Sequence, residues 1–597
     1  MGLLDMIRGR TDARMAEDLA MIDAYPVDEK TQIGDSLPSH AAHVDQAHSN
    51  KVNPHAQAGI QKAEAAALVW SKKVVIGTYM WIWICFFLHV IQSSISSSVV
   101  QTAYGNFKAA PQVSTAQILS NVIGGVLKLP IAKIPNLWGR AEGLFVFTVV
   151  YMVGIIMLAS CNGPNVFAAG YILYWVGYDA LYLILDLFIA DTFGLRNRAF
   201  AFGFASIPFI CTAFTGPLAA QSFIKHASWR WAYGAFAIII TVVFLPLILV
   251  FKHYQRKAEE MGIYRRRPSG RNFSQSVLHY IREFDLVGAV ILISAFVLVL
   301  LPFGLQNYGR AEYKTAKFIC ILVIGAVLFF VFAIWERFYT HTHFVRYELF
   351  RDRTVLGACA LSGILFFSFY CWDHYFFNFC VVYYHLSIEM AGYMGQIYNT
   401  GSCFWSVIVG IDVRYTRRFK HICLYFGLPV VILGTDLIIF FCSGEGSASS
   451  GCVVMCQIFI AFAGGTLVIG QNLAVMSSSD REGIPMMLSM LGLFSSLGST
   501  VGYAASSAIY TNVFPHTLYQ APLEDRANFH DIYKGGYAKQ NTCRIGSVTR
   551  HAIEHAWKSY MKYNCITATA VLVLAIPSTT LWRNYHLDRK QNRGVIM

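Results

Sequence analysis

The chain has 597 residues, of which 55% are hydrophobic and 14% are charged, and its mean hydropathy is +0.47. This composition is too apolar and too poor in charge for a soluble multidomain protein, so it indicates a protein that crosses a membrane many times. The net charge of +13 does not indicate a nucleic-acid partner, because the basic residues occur in short clusters between apolar runs, as in cytoplasmic loops.

A polar stretch, residues 1–72, opens the chain and is predicted to be a disordered cytoplasmic tail because it has no sustained apolar period. Fourteen apolar windows long enough to span a bilayer follow it, so we expect an all-α membrane protein with fourteen transmembrane helices. The windows are Val75–Ser97, Thr115–Ile134, Leu144–Ser160, Val166–Ile189, Ala199–Phe223, Trp231–Phe251, Leu286–Leu305, Phe318–Trp335, Val355–Phe379, Met390–Ile411, Ile422–Cys442, Cys452–Val475, Met486–Tyr510 and Asn564–Trp582.

The windows fall into two groups of six, with two further windows between them. The predicted division is a first six-helix half at 73–251, a basic connector at 252–285, two inserted helices at 286–335, a cytoplasmic loop at 336–354, a second six-helix half at 355–582 and a tail at 583–597. Lys and Arg concentrate in alternate loops and the number of windows is even, so both termini are predicted to be cytoplasmic.

One outward segment, 511–563, is unusual because it is long, polar and rich in Tyr, His, Lys and Arg. A loop of this length inside a compact bundle is usually functional or disordered, and its many aromatic residues argue against disorder. Its last part, Ser547–Tyr563, is predicted to form an amphipathic helix at the membrane surface.

The fourth window contains the stretch Tyr171–Asp191, which carries Asp179 and Asp186 within an otherwise apolar run. A carboxylate in hydrocarbon costs roughly 2.5 kcal/mol or more, so such residues usually face a bundle interior or a wet cavity. At about 100° per residue, Trp175 and Tyr182 fall on the same helix face as the two carboxylates. The alternative is that each carboxylate only forms a hydrogen bond to a neighbouring helix for packing.

The connection between the second and third windows reads KIPNLWGRAEG. It resembles motif A of the major facilitator superfamily, in which an acidic residue, a glycine and basic residues form a charged latch on the cytoplasmic side. Asn136 stands where that motif usually has Asp. The residues that match are Lys133, Gly139, Arg140 and Glu142. A weaker repeat, GIDVRYTRRFK, joins the tenth and eleventh windows, as an internal duplication of the fold predicts.

The fourteen windows, the aromatic first half and the long segment before the last window resemble the fungal siderophore–iron transporter family of that superfamily. The stretches that carry the resemblance are YWVGYDALYLILDLFIADT, ASWRWAYGAF and SVTRHAIEHAWKSYMKY. The resemblance implies a major facilitator fold with two extra helices between its halves. It also implies proton-coupled import of ferric hydroxamate siderophores of the triacetylfusarinine C, coprogen or ferrichrome type. The plasma membrane is the implied location, with endosomal vesicles as an alternative.

A ferric hydroxamate holds its iron in a closed oxygen shell, so its carrier needs aromatic walls and a few polar groups. We expect no catalytic group, metal site or cofactor. The expected partners are the ferric siderophore, protons and the lipid bilayer, without nucleic acid and with no oligomer required. The residues predicted to bind the cargo are Trp175, Tyr182, Trp372, His374, Tyr375, Tyr519, Tyr533, Tyr537, Arg544, Arg550, His551, His555 and Tyr560. For many of these the alternative is ordinary packing, lipid contact or solvation.

Proton coupling needs a group that takes up and releases protons as the cavity alternates between the two sides. Asp179 and Asp186 are the first candidates, followed by His89 and Asp373. Two other functions stay open: an exchanger of glutathione or small cations on the same fold, and a membrane sensor that transports nothing. No nucleophile–base pair or metal array is visible in the sequence, so an enzyme is not expected.

Overall fold

The computed structural model describes residues 58–192, 207–263, 272–305, 313–339, 352–416, 418–443, 450–477, 484–520 and 529–584. These residues lie in one compact unit, Val52–Met597. Within them, every regular element is helical. The predicted all-α class is therefore confirmed for the described part of the chain.

The first half and the insertion contain ten helices within the described ranges. In chain order they are α1 (Ala58–Val69), α2 (Lys72–Asn106), α3 (Val113–Leu137), α4 (Arg140–Ser160), α5 (Pro164–Thr192), α6 (Ile207–His226), α7 (Trp231–Glu260), α8 (Phe273–Glu283), α9 (Leu286–Leu305) and α10 (Ala316–Phe338). A short 3₁₀ turn, Ala110–Gln112, joins α2 to α3.

The second half follows, and its fourth helix contains a π turn at Cys423–Gly427. Its helices are α11 (Arg353–Asp373), α12 (Phe376–Tyr383), α13 (Ile388–Thr416), α14 (Lys420–Ile422, continued after the π turn as Leu428–Ser443), α15 (Ser450–Ser477), α16 (Ile484–Gln520), α17 (Phe529–Lys534), α18 (Gly536–Gln540), α19 (Val548–Leu572) and α20 (Ala575–Thr580).

Glycines allow α4 and α5 to pack backbone against backbone. A Cβ at Gly177 of α5 would lie 2.6 Å from the Tyr151 Cα of α4, so only glycine fits at this crossing. Small residues at such crossings are how membrane helices gain close van der Waals contact, since lipid tails give no hydrophobic driving force between them. This contact fixes α5, which carries Asp179, on the inner side of the first half.

Two helix pairs join the halves: α3 packs against α16, and α6 packs against α13. At the first crossing, a Cβ at Gly125 would lie 2.5 Å from the Ser496 Cβ. At the second, a Cβ at Gly392 would lie 2.6 Å from the Pro217 Cβ. The inserted helix α9 contacts both α3 and α16, and α10 packs on α9. The insertion therefore lies beside the first of the two inter-half seams.

Twelve helices of the described residues are long and apolar enough to cross a membrane, two fewer than the fourteen windows of the sequence. The two windows that are not among them, the tenth and thirteenth, form α13 and α16, which are 29 and 37 residues long. Gly, Gln and Asn residues of α13 and Gly and Ser residues of α16 face a central cavity. Their polar lining lowers the hydropathy that identifies a span.

The predicted disorder of residues 1–72 is wrong for Ala58–Val69, which forms helix α1 and packs against α3, α5 and α7. Its alanine-rich sequence suits a helix, but its apolar face is short. The helical periodicity of its apolar residues is therefore too weak to predict the helix from the sequence. The rest of the predicted tail, residues 1–57, lies outside the described residues.

The outward segment 511–563 is also mostly helical, which corrects the predicted loop. Helix α16 continues to Gln520, and α19 already begins at Val548. Ser547–Tyr563 is therefore not a separate surface helix but the start of the last spanning helix, in which Ser547 caps the N-terminus by accepting from the Arg550 N–H. Between them, Phe529–Gln540 forms two short helices over one end of the bundle, and we name this stretch the cap.

Candidate functional site

A cavity between the two halves consists of two adjoining chambers. The first, of about 350 Å³, is lined by α3, α5, α11 and α16. The second, of about 250 Å³, lies nearer the cap between α2, α6, α11 and α13. The residues that line both chambers are Gln117, Tyr171, Trp175, Tyr370 and Tyr503. Large aromatic walls with scattered polar groups are typical of sites for bulky organic ligands.

The first chamber contains an ion pair that joins α3 to α5. The Lys128 Nζ lies 3.4 Å from the Asp179 Oδ2, and the two side chains are 33% and 30% exposed. The same Nζ donates a hydrogen bond to the Ser496 Oγ of α16, at 3.3 Å. These two are the only charged residues that line the chamber among those described. Asp179 therefore faces the cavity, as the sequence predicts.

The second chamber brings together the predicted pair Asp373 and His374 at the end of α11. His374 is 4% exposed, and neither of its ring nitrogens has a hydrogen-bond partner among the described residues. Next to it, the Gln101 side chain donates to the His374 carbonyl oxygen at 3.2 Å and accepts from the Asn378 amide at 3.3 Å. This polar group connects α2 to α11 and α12 across the two halves.

Helix α5 places only part of its predicted stripe in the cavity. Trp175 lines both chambers beside Asp179. Tyr182 packs edge to face on Phe86 of α2, with ring centroids 5.2 Å apart, and is not among the residues that line the two chambers. Asp186 lies one turn beyond Tyr182 and also does not line them.

His89, a predicted proton-coupling residue, lies in the core of the first half, where its side chain is fully buried. Its ring stacks on Tyr178 with centroids 3.9 Å apart, and its Nε2 is 3.0 Å from the Tyr178 carbonyl oxygen. The Nδ1 has no described hydrogen-bond partner. His89 is not among the residues that line either chamber.

Several residues predicted to bind cargo are instead core residues below the cap. Trp372 is 1% exposed and packs between Phe369 and Phe376. Tyr375, Tyr533 and Tyr560 are at most 1% exposed. The aromatic cluster that holds the last three is Tyr375, Tyr510, Phe514, Tyr533, Trp557 and Tyr560. Their position under the cap gives these residues a packing role. The sequence pattern alone does not distinguish packing tyrosines from tyrosines that line a binding site.

Arg550 is also buried, with 2% of its side chain exposed, and it fixes the cap to the second half. It donates to the Gln540 carbonyl oxygen at 2.8 Å, the Val382 carbonyl oxygen at 2.7 Å and the Glu554 Oε1 at 3.2 Å. The His385 Nδ1 lies 2.9 Å from the same guanidinium. Such complete hydrogen bonding is what a buried guanidinium requires.

The cap also contacts the first half. The Tyr537 Oη lies 2.6 Å from the Thr102 Oγ1 of α2, and Lys108 and Asp531 form an exposed ion pair at 3.3 Å. Burial raises the pKa of Tyr537 to about 12, so this hydroxyl keeps its proton at physiological pH. The remaining predicted cargo residues of this region are exposed on the outside of the bundle: Tyr519, Arg544, His551 and His555.

The residues that match motif A lie at the opposite end from the cap, and we name this the basic end. Glu142 accepts from Lys252 of α7 at 2.6 Å and lies 3.6 Å from Lys62 of α1. Gly139 precedes α4 with a φ of +128°, a conformation that favours glycine. Lys133 donates to the Glu283 carbonyl oxygen at 3.0 Å, and Arg140 is 7% exposed. The acidic partner of this cluster is thus Glu142.

Sequence reasoning missed the residue that completes the site, Lys128, although it lies inside the second predicted window. A lysine within a spanning window is as costly as an aspartate and indicates function for the same reason. Tyr503 and Ser496 were missed as well, because nothing in an aromatic or serine-rich helix shows which face meets a cavity.

Comparison with known proteins identifies the fold and the family. The family model of the Major Facilitator Superfamily matches residues 82–503. Two solved structures share the fold at low identity: an inward-facing bacterial homologue of the human lysosomal transporter Spinster, and the peptide transporter POT in complex with alafosfalin. The first has a TM-score of 0.56 at 12% identity and covers 86% of this chain and 98% of that one. The second has a TM-score of 0.53 at 13% identity and covers 85% and 96%.

Curated relatives match nearly the whole chain. Siderochrome iron transporter 2 of Aspergillus fumigatus is 59% identical over 92% of this chain and 90% of its own length. MFS siderochrome iron transporter 1 of Ajellomyces capsulatus is 38% identical over 92% and 93%. Siderophore iron transporter mirB of Emericella nidulans is 32% identical over 91% and 90%. The chain therefore belongs to the major facilitator superfamily and, within it, to the fungal siderophore–iron transporters, a family of carriers and not of enzymes.

Proposed function

We propose that this protein imports ferric hydroxamate siderophores across the plasma membrane, with transport coupled to protons. The observation that supports this most is the aromatic cavity between the two halves, in a chain whose relatives along nearly its whole length are named as siderophore or siderochrome iron transporters. The cargo is of the triacetylfusarinine C, coprogen or ferrichrome type. The iron is part of the substrate, held in the oxygen shell of the siderophore.

The cavity chemistry suits this cargo. Trp175, Tyr370 and Tyr503 offer flat apolar faces, while hydroxyl and amide groups from both halves offer donors to peripheral oxygens. A hexadentate complex leaves no iron coordination site open to the protein, so recognition depends on shape and on hydrogen bonds to the ligand shell. The two chambers together give such a bulky complex contact with both halves.

We further propose that α13 and α16 also cross the membrane, which gives the fourteen spans predicted from the sequence. An even number of spans would put both termini on one side, and the cluster of Lys62, Lys252 and Glu142 supports our proposal that the basic end faces the cytoplasm. With that orientation the cap lies outside the cell.

The cavity between the two halves is closed at the end that faces the cap. Hydrogen bonds between the halves include Gln101 to His374, Thr102 to Tyr537 and Gln221 to Glu389, all on the cap side. Among the described residues, the inter-half hydrogen bond nearest the basic end is that of Lys128 to Ser496. Closure outside with a cavity at the centre corresponds to an inward-facing carrier.

We assign proton coupling first to Asp179, because it is the predicted carboxylate that faces the cavity and has a cation beside it. The titratable groups around it are Lys128 on α3, Tyr370 on α11, Tyr503 on α16 and Tyr171 and Tyr178 on its own helix. Asp373 lies in the adjoining chamber, and Asp186 and His89 lie outside both chambers. These three stay secondary candidates.

Uptake of radioactive iron tests the function directly. The chain is expressed in a yeast strain without its own siderophore carriers, which is then offered a panel of labelled hydroxamate siderophores. We expect uptake of at least one of them, which a protonophore abolishes. If none is taken up while the protein is at the cell surface, the proposal is wrong. Glutathione exchange in the same cells would then support the exchanger that the sequence left open.

A further inference from the structure

Lys128 has an unusual environment for a cation in the middle of a membrane bundle. Its ammonium group carries three N–H donors, and among the described residues it forms an ion pair with Asp179 and donates a hydrogen bond to Ser496. A third of the side chain is exposed to the first chamber. A permanently structural cation would be expected to use all its donors, so the remaining N–H is available to a ligand in the cavity.

The side chains of Lys128, Asp179 and Ser496 lie close enough for one ligand in the first chamber to contact all three. A Cβ at Gly124 would be 3.7 Å from the Asp179 Oδ2, and a Cβ at Gly125 would be 2.5 Å from the Ser496 Cβ. Two successive glycines therefore let a carboxylate from α5 and a hydroxyl from α16 approach the same stretch of α3. The Lys128 side chain starts about one turn further along α3, and its Cδ would lie 3.9 Å from a Cβ at Gly492 of the second half.

We propose that Lys128 binds the hydroxamate oxygens of the cargo and exchanges them for Asp179 during each transport cycle. This inference rests on the proposed function and deepens it. The oxygens of an iron-bound hydroxamate carry part of the negative charge that balances Fe³⁺, so they compete with a carboxylate for the ammonium group. When the cargo takes Lys128, Asp179 loses the one cation among the described residues that line the chamber, and it takes up a proton from water on its Oδ2.

The reverse exchange returns the proton. When the cargo leaves towards the cytoplasm, Lys128 pairs again with Asp179, whose proton passes to water on that side. The structure, with the ion pair formed and the halves joined at the cap end, corresponds to the state after release. No other ion pair lines either chamber within the described residues, so one proton is exchanged for each cargo molecule at this site.

The exchange also affects the contact between the halves. The bond from Lys128 to Ser496 is the described inter-half hydrogen bond on the side away from the cap. A ligand that draws the ammonium group into the chamber breaks this bond together with the ion pair. Lys128 therefore connects cargo binding, proton binding and the seam between α3 and α16.

Purified protein and ferric triacetylfusarinine C, coprogen and ferrichrome test the exchange, with affinity measured by quenching of tryptophan fluorescence. We expect Lys128→Met to weaken binding about tenfold or more, since a hydrogen bond from a charged donor is lost. Lys128→Arg, which keeps the charge, should retain most of the affinity. Lys317→Met, on the exposed side of α10, is the matched control and should bind like the wild type.

Asp179→Asn gives the result that a merely structural role would not produce. Without its competitor for Lys128, the cargo should bind several times more tightly. Proton uptake on binding, followed with a pH-indicator dye in weak buffer, should fall from about one per cargo to none, because the acceptor carboxylate is gone. Equal or weaker binding by Asp179→Asn, or unchanged binding by Lys128→Met, overturns the inference even if wild type transports siderophores. If wild type binds none of the three, the proposed function itself fails.

Discussion

Arg550 and Lys128 both place a cation beside a carboxylate inside an apolar bundle, yet their surroundings differ. Arg550 is 2% exposed and donates to two carbonyl oxygens as well as to Glu554. Lys128 is 33% exposed and has one carboxylate and one hydroxyl as described partners. The guanidinium is saturated by fixed acceptors, whereas the ammonium group retains a donor that faces a cavity.

The comparison separates structural from functional charge. A buried cation with rigid backbone acceptors cannot change partners without a large loss of stability, so Arg550 holds the cap in place. A partly exposed lysine on a flexible stem can change partners at small cost, so Lys128 suits a site that binds and releases a ligand. The number and rigidity of the acceptors, more than the presence of charge, distinguish the two regions.

The largest effect is expected from Arg550. Arg550→Ala leaves Glu554 without its buried partner and frees two carbonyl oxygens, and breaking such a pair costs about 3–5 kcal/mol. We expect a large loss of thermal stability in detergent and little protein at the cell surface. Arg544→Ala, an exposed arginine a few residues earlier, is the control and should have wild-type stability. An Arg550→Ala protein with wild-type stability would contradict the structural role that we assign to Arg550.

A smaller effect is expected at the seam between the halves. Gly125→Ala places a Cβ 2.5 Å from the Ser496 Cβ, and overpacking of this kind costs about 1–3 kcal/mol. Uptake should fall several-fold, and the second substitution Ser496→Gly should restore part of it. Gly124→Ala, whose Cβ would meet the Asp179 Oδ2 at an ordinary 3.7 Å, is the matched control. Equal activity of the two alanine variants would show that α3 and α16 are not tightly packed there.

Tyr537→Phe should have a modest effect. It removes the bond to Thr102 that ties the cap to the first half, and a single neutral hydrogen bond contributes about 0.5–1.5 kcal/mol. The cap end should open more often, so a cysteine that replaces Ser98, a buried residue lining the second chamber, should react faster with an impermeant maleimide added outside. Thr102→Val should give the same increase. No change in either variant would show that this bond does not hold the outer side closed.

The smallest effect is expected for the exposed residues that the sequence assigned to cargo binding. Tyr519, Arg544, His551 and His555 lie on the outside of the bundle, away from both chambers. Exposed substitutions usually change stability by no more than about 0.5 kcal/mol. Alanine at each position should leave the KM of uptake within the error of measurement. A raised KM for any of them would place a first capture site on this surface.

The sequence predicted the architecture well because apolar length is the dominant signal in a membrane protein. The order of the helices, the insertion Leu286–Phe338 and the cavity-facing position of Asp179 were all accessible from it. The positions of α13 and α16 were predicted as well, although their polar faces reduce the hydropathy that marks a span.

The details of the site were harder to predict because they depend on which face of a helix meets another. The sequence predicts Tyr375 and Tyr560 as cargo-binding residues, but they pack in the aromatic cluster below the cap. The sequence predicts Arg550 as a donor to the cargo, but Glu554 and backbone carbonyls from α12 and the cap accept its hydrogen bonds. Tertiary contacts of this kind produce no periodic pattern of residues in a single sequence, so they cannot be predicted from it.

Accumulation of cargo against its gradient tests the central claim most directly. Proteoliposomes with the wild-type protein, an acidic exterior and a labelled ferric siderophore outside should accumulate the siderophore above its external concentration. Asp179→Asn should still exchange internal for external siderophore but should not exceed equilibrium when the pH gradient is applied. If Asp179→Asn accumulates cargo as the wild type does, Asp179 does not carry the coupling proton and the account of this cavity is wrong.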